Sequence, residues 1–130
     1  MGREIVLDKD VVIVSETDSK GVILYANDDF CKICGYTKDE LIGKPHNIVR
    51  HPDMPRVAFK DLWDTVKSGR TWQGIVKNSS KSGDYYWVNT KVYPSRTPDG
   101  KRKYVSVRVK PTREEIESSE KLYRKLRGQE

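Results

Sequence analysis

Two cysteines, two histidines and one dense polar loop hold the side chains of this 130-residue chain best suited to chemistry. Cys31 and Cys34 form a C-x-x-C. A zinc site needs further ligands, and no second cysteine pair follows; His46 and His51 would join only by accident of fold. A thioredoxin-like redox pair needs a partly exposed thiol at a helix start. Phe30-Cys31-Lys32-Ile33-Cys34-Gly35 reads instead as a short, half-buried helix, so both cysteines are expected to pack. Arg50-His51-Pro52-Asp53 gathers a guanidinium, an imidazole and a carboxylate within one turn of sequence. Arg50 and Asp53 could be a surface ion pair, worth under about 1 kcal/mol. His51 and Asp53 sit in a proline-bounded loop and do not define an acid–base pair. No Ser-His-Asp order of note, no close carboxylate pair and no G-x-G-x-x-G appear, which argues against an enzyme and against Rossmann-type nucleotide binding.

The elements that must position these residues are legible from periodicity and punctuation. Val11-Val12-Ile13-Val14 and Val22–Ala26 read as strands of a hairpin joined by Asp18-Ser19-Lys20-Gly21. Asn27 stands at a helix-cap position, with Asp28 and Asp29 in the first turn, and Gly35 closes the helix. Thr37 and Glu40 have capping-box spacing for a one-turn helix. Pro45, Pro52 and Pro55 break residues 44–55 into a loop with at most short helical turns, the first place to look for function. Phe59, Leu62, Trp63 and Val66 give an amphipathic helix over 56–68. Strands follow at 72–78, 85–93 and 104–110, with Trp72 readable as strand core and Val105, Val107 and Val109 on one apolar face. Thr112 and Glu115 cap a last helix to Leu126, with Ile116, Ser119, Tyr123 and Leu126 at a and d spacing. The order predicts an α+β fold. A five-stranded antiparallel sheet carries short helices on one face, encloses a pocket and ends in an exit helix. The expected organisation is an extension over 1–10, the domain over 11–110 and a linker helix over 111–130.

Composition narrows the partners. The length suits one domain. The charge of +6 divides unevenly: residues 1–29 carry −4 and residues 30–130 carry +10. A basic remainder invites nucleic acid, yet no recognition motif appears and Lys101-Arg102-Lys103 is a short turn cluster. No apolar run approaches the roughly 18 residues of a membrane span, and the first residues lack a signal-peptide core. The segment is therefore expected to be soluble and cytoplasmic, whether or not a longer protein tethers it to the inner membrane.

The segments Asp18-x-x-Gly21-x-Ile23-x-Tyr25-Ala26-Asn27-x-x-Phe30 and Gly35-Tyr36-Thr37-x-x-Glu40-Leu41-Ile42-Gly43-Lys44 resemble the opening of PAS sensor domains. Pro45-His46-Asn47-Ile48-Val49-Arg50-His51-Pro52-Asp53-Met54-Pro55 is narrower. With Trp72-x-Gly74-Ile75-Val76-Lys77-Asn78 and Gly83-Asp84-x-Tyr86-Trp87-Val88, it resembles the PAS domains of bacterial aerotaxis and energy-taxis receptors. The match covers roughly residues 10–126.

That resemblance implies non-covalently bound FAD whose redox state is reported to a chemoreceptor-type signalling domain, in the same or a partner chain. It implies that Arg50, His51 and Asp53 lie at the flavin site, with Trp72 against the ring system and Asn27 and Asn78 nearby. Trp63 also matches a family position, although core packing explains it equally well. Three alternatives stand beside it. A haem-binding gas sensor would use His46 or His51 as axial ligand. A ligand-free PAS dimerisation module would act through its exit helix as a homodimer. A blue-light sensor is disfavoured, because Cys31 and Cys34 lie on the wrong segment.

Overall fold

In the computed structural model, which describes residues 2–130, one antiparallel sheet carries helices on both faces. Met1, the first residue of the expected extension, lies outside the described residues. The strands are β1 (Ile13–Asp18), β2 (Ile23–Ala26), β3 (Trp72–Ser79), β4 (Tyr85–Arg96) and β5 (Arg102–Val109), in the spatial order β2-β1-β5-β4-β3. The helices are α1 (Asp28–Cys34), α2 (Lys38–Leu41), α3 (Arg56–Lys67) and α4 (Arg113–Arg127), with a 3-10 turn at His46–Val49.

Local chemistry sets the ends of these elements. Asn27 caps α1 by accepting from the Phe30 amide at 3.0 Å, and Gly35 closes it at φ 78°, where a side chain would be strained. Both expected capping boxes form, at Thr37–Glu40 and Thr112–Glu115. β1 departs from expectation. It begins at Ile13 and runs through the polar Ser15-Glu16-Thr17-Asp18, because β5 pairs with every one of these residues. β4 likewise continues past Tyr93 through Pro94. Its pairing with β3 ends at Val92, so Pro94 stands where β4 has only β5 beside it.

The sheet's inner face meets α1, α2 and α3. Ile13, Phe30, Cys34, Leu41, Val49, Val66, Tyr86 and Val88 form the centre of the core, each removed from water. At roughly 1.5–3 kcal/mol per buried large side chain, this layer fixes the fold. Cys31 and Cys34 are free thiols within it, as the helix pattern predicted, and burial raises both pKa values. The outer face is covered differently from expectation. α4 lies across it, burying Ile116 and Tyr123, and the Tyr123 hydroxyl donates to the Ile75 carbonyl. Residues 3–5 run beside the start of β4, where the Ile5 amide donates to Tyr85 O at 2.7 Å, and Glu4 pairs with Arg113 at the start of α4.

Candidate functional site

Between the sheet and α3 lies a cavity of about 190 Å³. Its wall on α3 is Phe59, Leu62 and Trp63, one stripe at helical spacing. Its floor is the inner face of the sheet: Thr17, Val76, Asn78, Thr90, Val92, Tyr104, Ser106 and Arg108. Its remaining side is Lys20, Gly21, Pro45, His46, Asn47 and Arg50. Backbone bonds build that side from two separate segments. His46 N donates to Gly21 O, and Ile23 N to Lys44 O, each at 2.9 Å, so the β1–β2 turn is sewn to the proline-rich loop. The two sides touch at both ends. The Arg50 guanidinium lies 3.7 Å from the Phe59 ring centroid, and the Trp63 indole lies so close to Gly21 that a Cβ there would sit 3.3 Å from it.

The floor holds an unusual charge. Arg108 is 2% exposed, and no carboxylate among the described residues meets it. Nη2 donates to Ser15 Oγ at 2.7 Å, Nη1 to His46 Nε2 at 3.1 Å, and Nε has no partner. Burial pulls its pKa down to about 10, which still leaves it a cation at neutral pH. The Thr90 hydroxyl on the same floor is also buried without a partner. Loss of solvent and the neighbouring Arg108 push His46 down to about 3, so this imidazole is neutral. With Arg108 donating to Nε2, its own proton belongs on Nδ1. Apolar walls with orphaned donors on one edge suit a flat heteroaromatic ligand bearing hydrogen-bonding carbonyls.

A family model described as PAS fold matches residues 23–108, two thirds of the chain. The chain belongs to the PAS family. Over 120 residues, 92% of this PAS domain and 24% of the relative, it is 48% identical to the aerotaxis receptor of Escherichia coli strain K12. It is 29% identical over 89 residues to the nitrogen fixation regulatory protein of Klebsiella oxytoca, covering 68% of this chain and 18% of that one. The PAS domain thus spans a quarter or less of the length of these relatives. Among solved structures it is similar to the light-state LOV domain of the photoreceptor Aureochrome1, with a TM-score of 0.69 and 22% identity over 85% of this chain and 87% of that one. The likeness at that identity is one of fold.

The structure divides the six expected site residues of this PAS domain. Arg50 and Asn78 line the cavity, and a backbone bridge joins them where the loop meets β3. The other four do not line it. Asn27 is held by structural bonds: Oδ1 accepts from Val14 N and Phe30 N, and Nδ2 donates to Val12 O. Trp72 shares the inner face but folds over Gly74, and its Nε1 donates to Asp61 on α3 at 2.9 Å. His51 accepts from Asp53 N at 2.9 Å and meets Tyr85 edge-on. Asp53 pairs with Lys77 at 2.8 Å, while Arg127 of α4 donates to its carbonyl. Loss of solvent, with Lys77 close by, lowers the His51 pKa, and the Lys77 bond lowers that of Asp53. The division therefore falls between Arg50 and His51. The guanidinium turns to the cavity, while His51 and Asp53 turn to the junction with β3 and α4.

Arg108, Thr90 and Tyr104 line the cavity although no sequence motif marks them as site residues, and the sequence offers His46 only as a candidate zinc or haem ligand. Their signal was the alternation of β5. Tyr104, Ser106 and Arg108 oppose Val105, Val107 and Val109, and the less apolar set faces the cavity. No cluster of metal-ligating side chains forms among the described residues. His46 Nε2 is occupied by a cation and His51 lies off the cavity, so neither matches a free axial ligand to haem iron.

Proposed function

We propose that this PAS domain is a sensory input module that binds FAD non-covalently and reports redox state to a chemotaxis-type signalling partner, itself catalysing no reaction. The single observation that carries the reading is Arg108: a buried cation with no carboxylate partner among the described residues, on a cavity wall where the Thr90 hydroxyl also lacks a partner. A buried unpaired charge is retained against its desolvation cost when a ligand answers it. The 48% identity to an aerotaxis receptor supports the same cofactor and output.

The residues present fit the group. Leu62, Trp63, Val76 and Val92 offer apolar faces for an isoalloxazine ring, and Asn78, Thr90 and Arg108 offer the polar edge that its pyrimidine atoms require. Bound FAD would supply reversible electron-acceptor chemistry at this place. Arg108 fixes positive charge beside the ring and so favours the more negative state of whatever it touches, raising the reduction potential. Neutral His46 accepts from Arg108 and orients the guanidinium. Asn78 connects outward. Its strand neighbour Lys77 points to the opposite face, where Asp53 and α4 meet, so a shift at the cavity floor has a short path to the exit helix. His51 and Asp53 support the site from behind by fixing the loop that presents Arg50. A cytoplasmic, receptor-linked setting fits the relatives, and no helix among the described residues is long and apolar enough to cross a membrane.

The absorption spectrum of the purified protein is the test. Two visible bands and a released flavin that runs as FAD after denaturation are expected. A Soret band would establish the haem sensor instead, and a protein that takes up neither would leave the dimerisation module.

A further inference from the structure

We propose that the tip of the β4–β5 hairpin, together with the last turn of α3, is a docking surface for an anionic lipid bilayer, whatever the cavity holds. Arg96 and Arg102 stand opposite each other in the β4–β5 register, so their side chains leave the same face of the sheet. Nη1 of Arg102 donates at 3.0 Å to the carbonyl of Lys67, the last residue of α3, which brings Lys67 and Arg70 beside the hairpin. Lys101 completes the cluster. All five cations are exposed, and none lines the cavity. Like charges directly opposite on a strand pair repel, so Arg96 and Arg102 stand together at a cost. Among the described residues no ion pair engages Lys67, Arg70, Arg96 or Arg102. The acids of the same segments are spent elsewhere: Asp64 on Lys60 at 2.7 Å, Glu16 on Lys103 at 2.9 Å and Asp99 on Lys101 at 3.8 Å. Arg96 donates to Gly100 O and Arg70 to Ser68 Oγ, neutral oxygens that leave both charges in place.

The occupant follows from what the cluster lacks. A protein interface is centred on buried aromatic or aliphatic anchors, and single-stranded nucleic acid takes aromatic stacking platforms. None of the large exposed hydrophobic side chains falls within residues 64–71 or 94–103. Long cationic side chains on a turn and a helix end suit a diffuse plane of negative charge instead. The rest of the domain agrees in sign. In the β1–β5 register Asp18 lies beside Lys103, at the basic end, whereas Ile13 lies beside Arg108, at the other. Asp29 stands at that other end, accepting from Val12 N at 3.1 Å, and residues 1–29 carry a net −4. An anionic surface therefore attracts the hairpin end and repels the opposite one. α4 ends at the far end of α3, where Glu130 accepts from Arg56 N and Val57 N, so docking leaves the exit helix uncovered.

The test is flotation of the protein with vesicles of phosphatidylcholine, alone or with about 40% phosphatidylglycerol, at about 1 mM lipid and about 0.05 M KCl. The protein is expected to float with the phosphatidylglycerol vesicles only, and to be released by about 0.5 M KCl. Lys67→Gln, Arg70→Gln and Arg96→Gln should each lower the partition coefficient by about fivefold. Lys121→Gln and Lys125→Gln remove the same charge from exposed positions on α4 and should change it less than about twofold. An unchanged Tm in each variant separates lost docking from lost fold. Absence of flotation at low salt, or equal losses from the α4 variants, overturns the proposal. Binding of poly-glutamate or of a single-stranded oligonucleotide that the hairpin and α3 variants lose, without vesicle flotation, overturns it too and assigns the cluster to an acidic protein or to nucleic acid.

Discussion

Arg108 stacks its guanidinium on the ring of Phe30, Cζ 4.5 Å from the centroid, and shares no salt bridge with any acid among the described residues. The core thus accommodates a cation that Ser15 and His46 hydrogen-bond but do not neutralise. Arg108→Gln should lower the flavin midpoint potential, on the order of 30 mV, the two-electron equivalent of a tenfold change in relative affinity. Spectroelectrochemical titration measures it, and full occupancy with an unmoved potential would remove Arg108 from the redox site. Arg108→Met, which deletes the uncompensated charge, should raise the Tm of the flavin-free protein while weakening flavin binding.

His46 carries a pH dependence. The folded protein keeps it neutral down to about pH 3, whereas the unfolded chain protonates it near 6.5. Between these values the unfolded state binds more protons, so stability falls as the pH is lowered through 6.5. The slope contributed by one such group approaches about 1.4 kcal/mol per pH unit. Urea melts between pH 7 and about pH 5 should show the loss in the wild type and a shallower dependence in His46→Gln. Equal slopes would mean that burial, with Arg108 beside it, does not hold His46 neutral.

Trp63 and Trp72 separate ligand contact from packing. Trp63 lines the cavity, whereas Trp72 donates to Asp61 and lies over Gly74, where a Cβ would come within 2.4 Å of its ring. Trp72→Phe should cost stability by about 1–3 kcal/mol and change the flavin Kd less than about twofold. Trp63→Ala should change the Kd by about tenfold or more. The reverse ranking would place Trp72 against the ring system, as the family resemblance implies.

Lys77 is deeply placed, its side chain 10% exposed, above Tyr85 and paired with Asp53. Asp53→Asn leaves that ammonium without its counter-charge. Because Asp53 is half exposed, the expected loss is about 1–3 kcal/mol, less than for a fully buried pair. Lys77→Met should cost less than Asp53→Asn, and the double variant should cost little more than Lys77→Met alone. Denaturant melts of the four proteins form the cycle, and additive losses would show that the pair does not couple.

Periodicity, caps and turns determine most of this fold. The Asn27 cap, both capping boxes, the α3 stripe Phe59–Leu62–Trp63–Val66 and three C-terminal strands depend on neighbours within a few residues, and short-range chemistry is what a sequence displays directly. The loop at residues 44–55 was marked by its prolines, and Arg50 and Asn78 by family resemblance. What tertiary structure decided is which way things face. Alternation along β5 separates Val105, Val107 and Val109 from Tyr104, Ser106 and Arg108, but it does not say which set turns inward. Hydrophobicity suggests the valines, yet β5 lies centrally and its polar set faces the cavity. For the same reason Arg50 and His51, adjacent in sequence, serve opposite sides of β3. A side chain's orientation belongs to the packing of distant strands. The sequence by itself named the family and the loop; only the assembled sheet brought Arg108, His46 and Asn78 around one cavity.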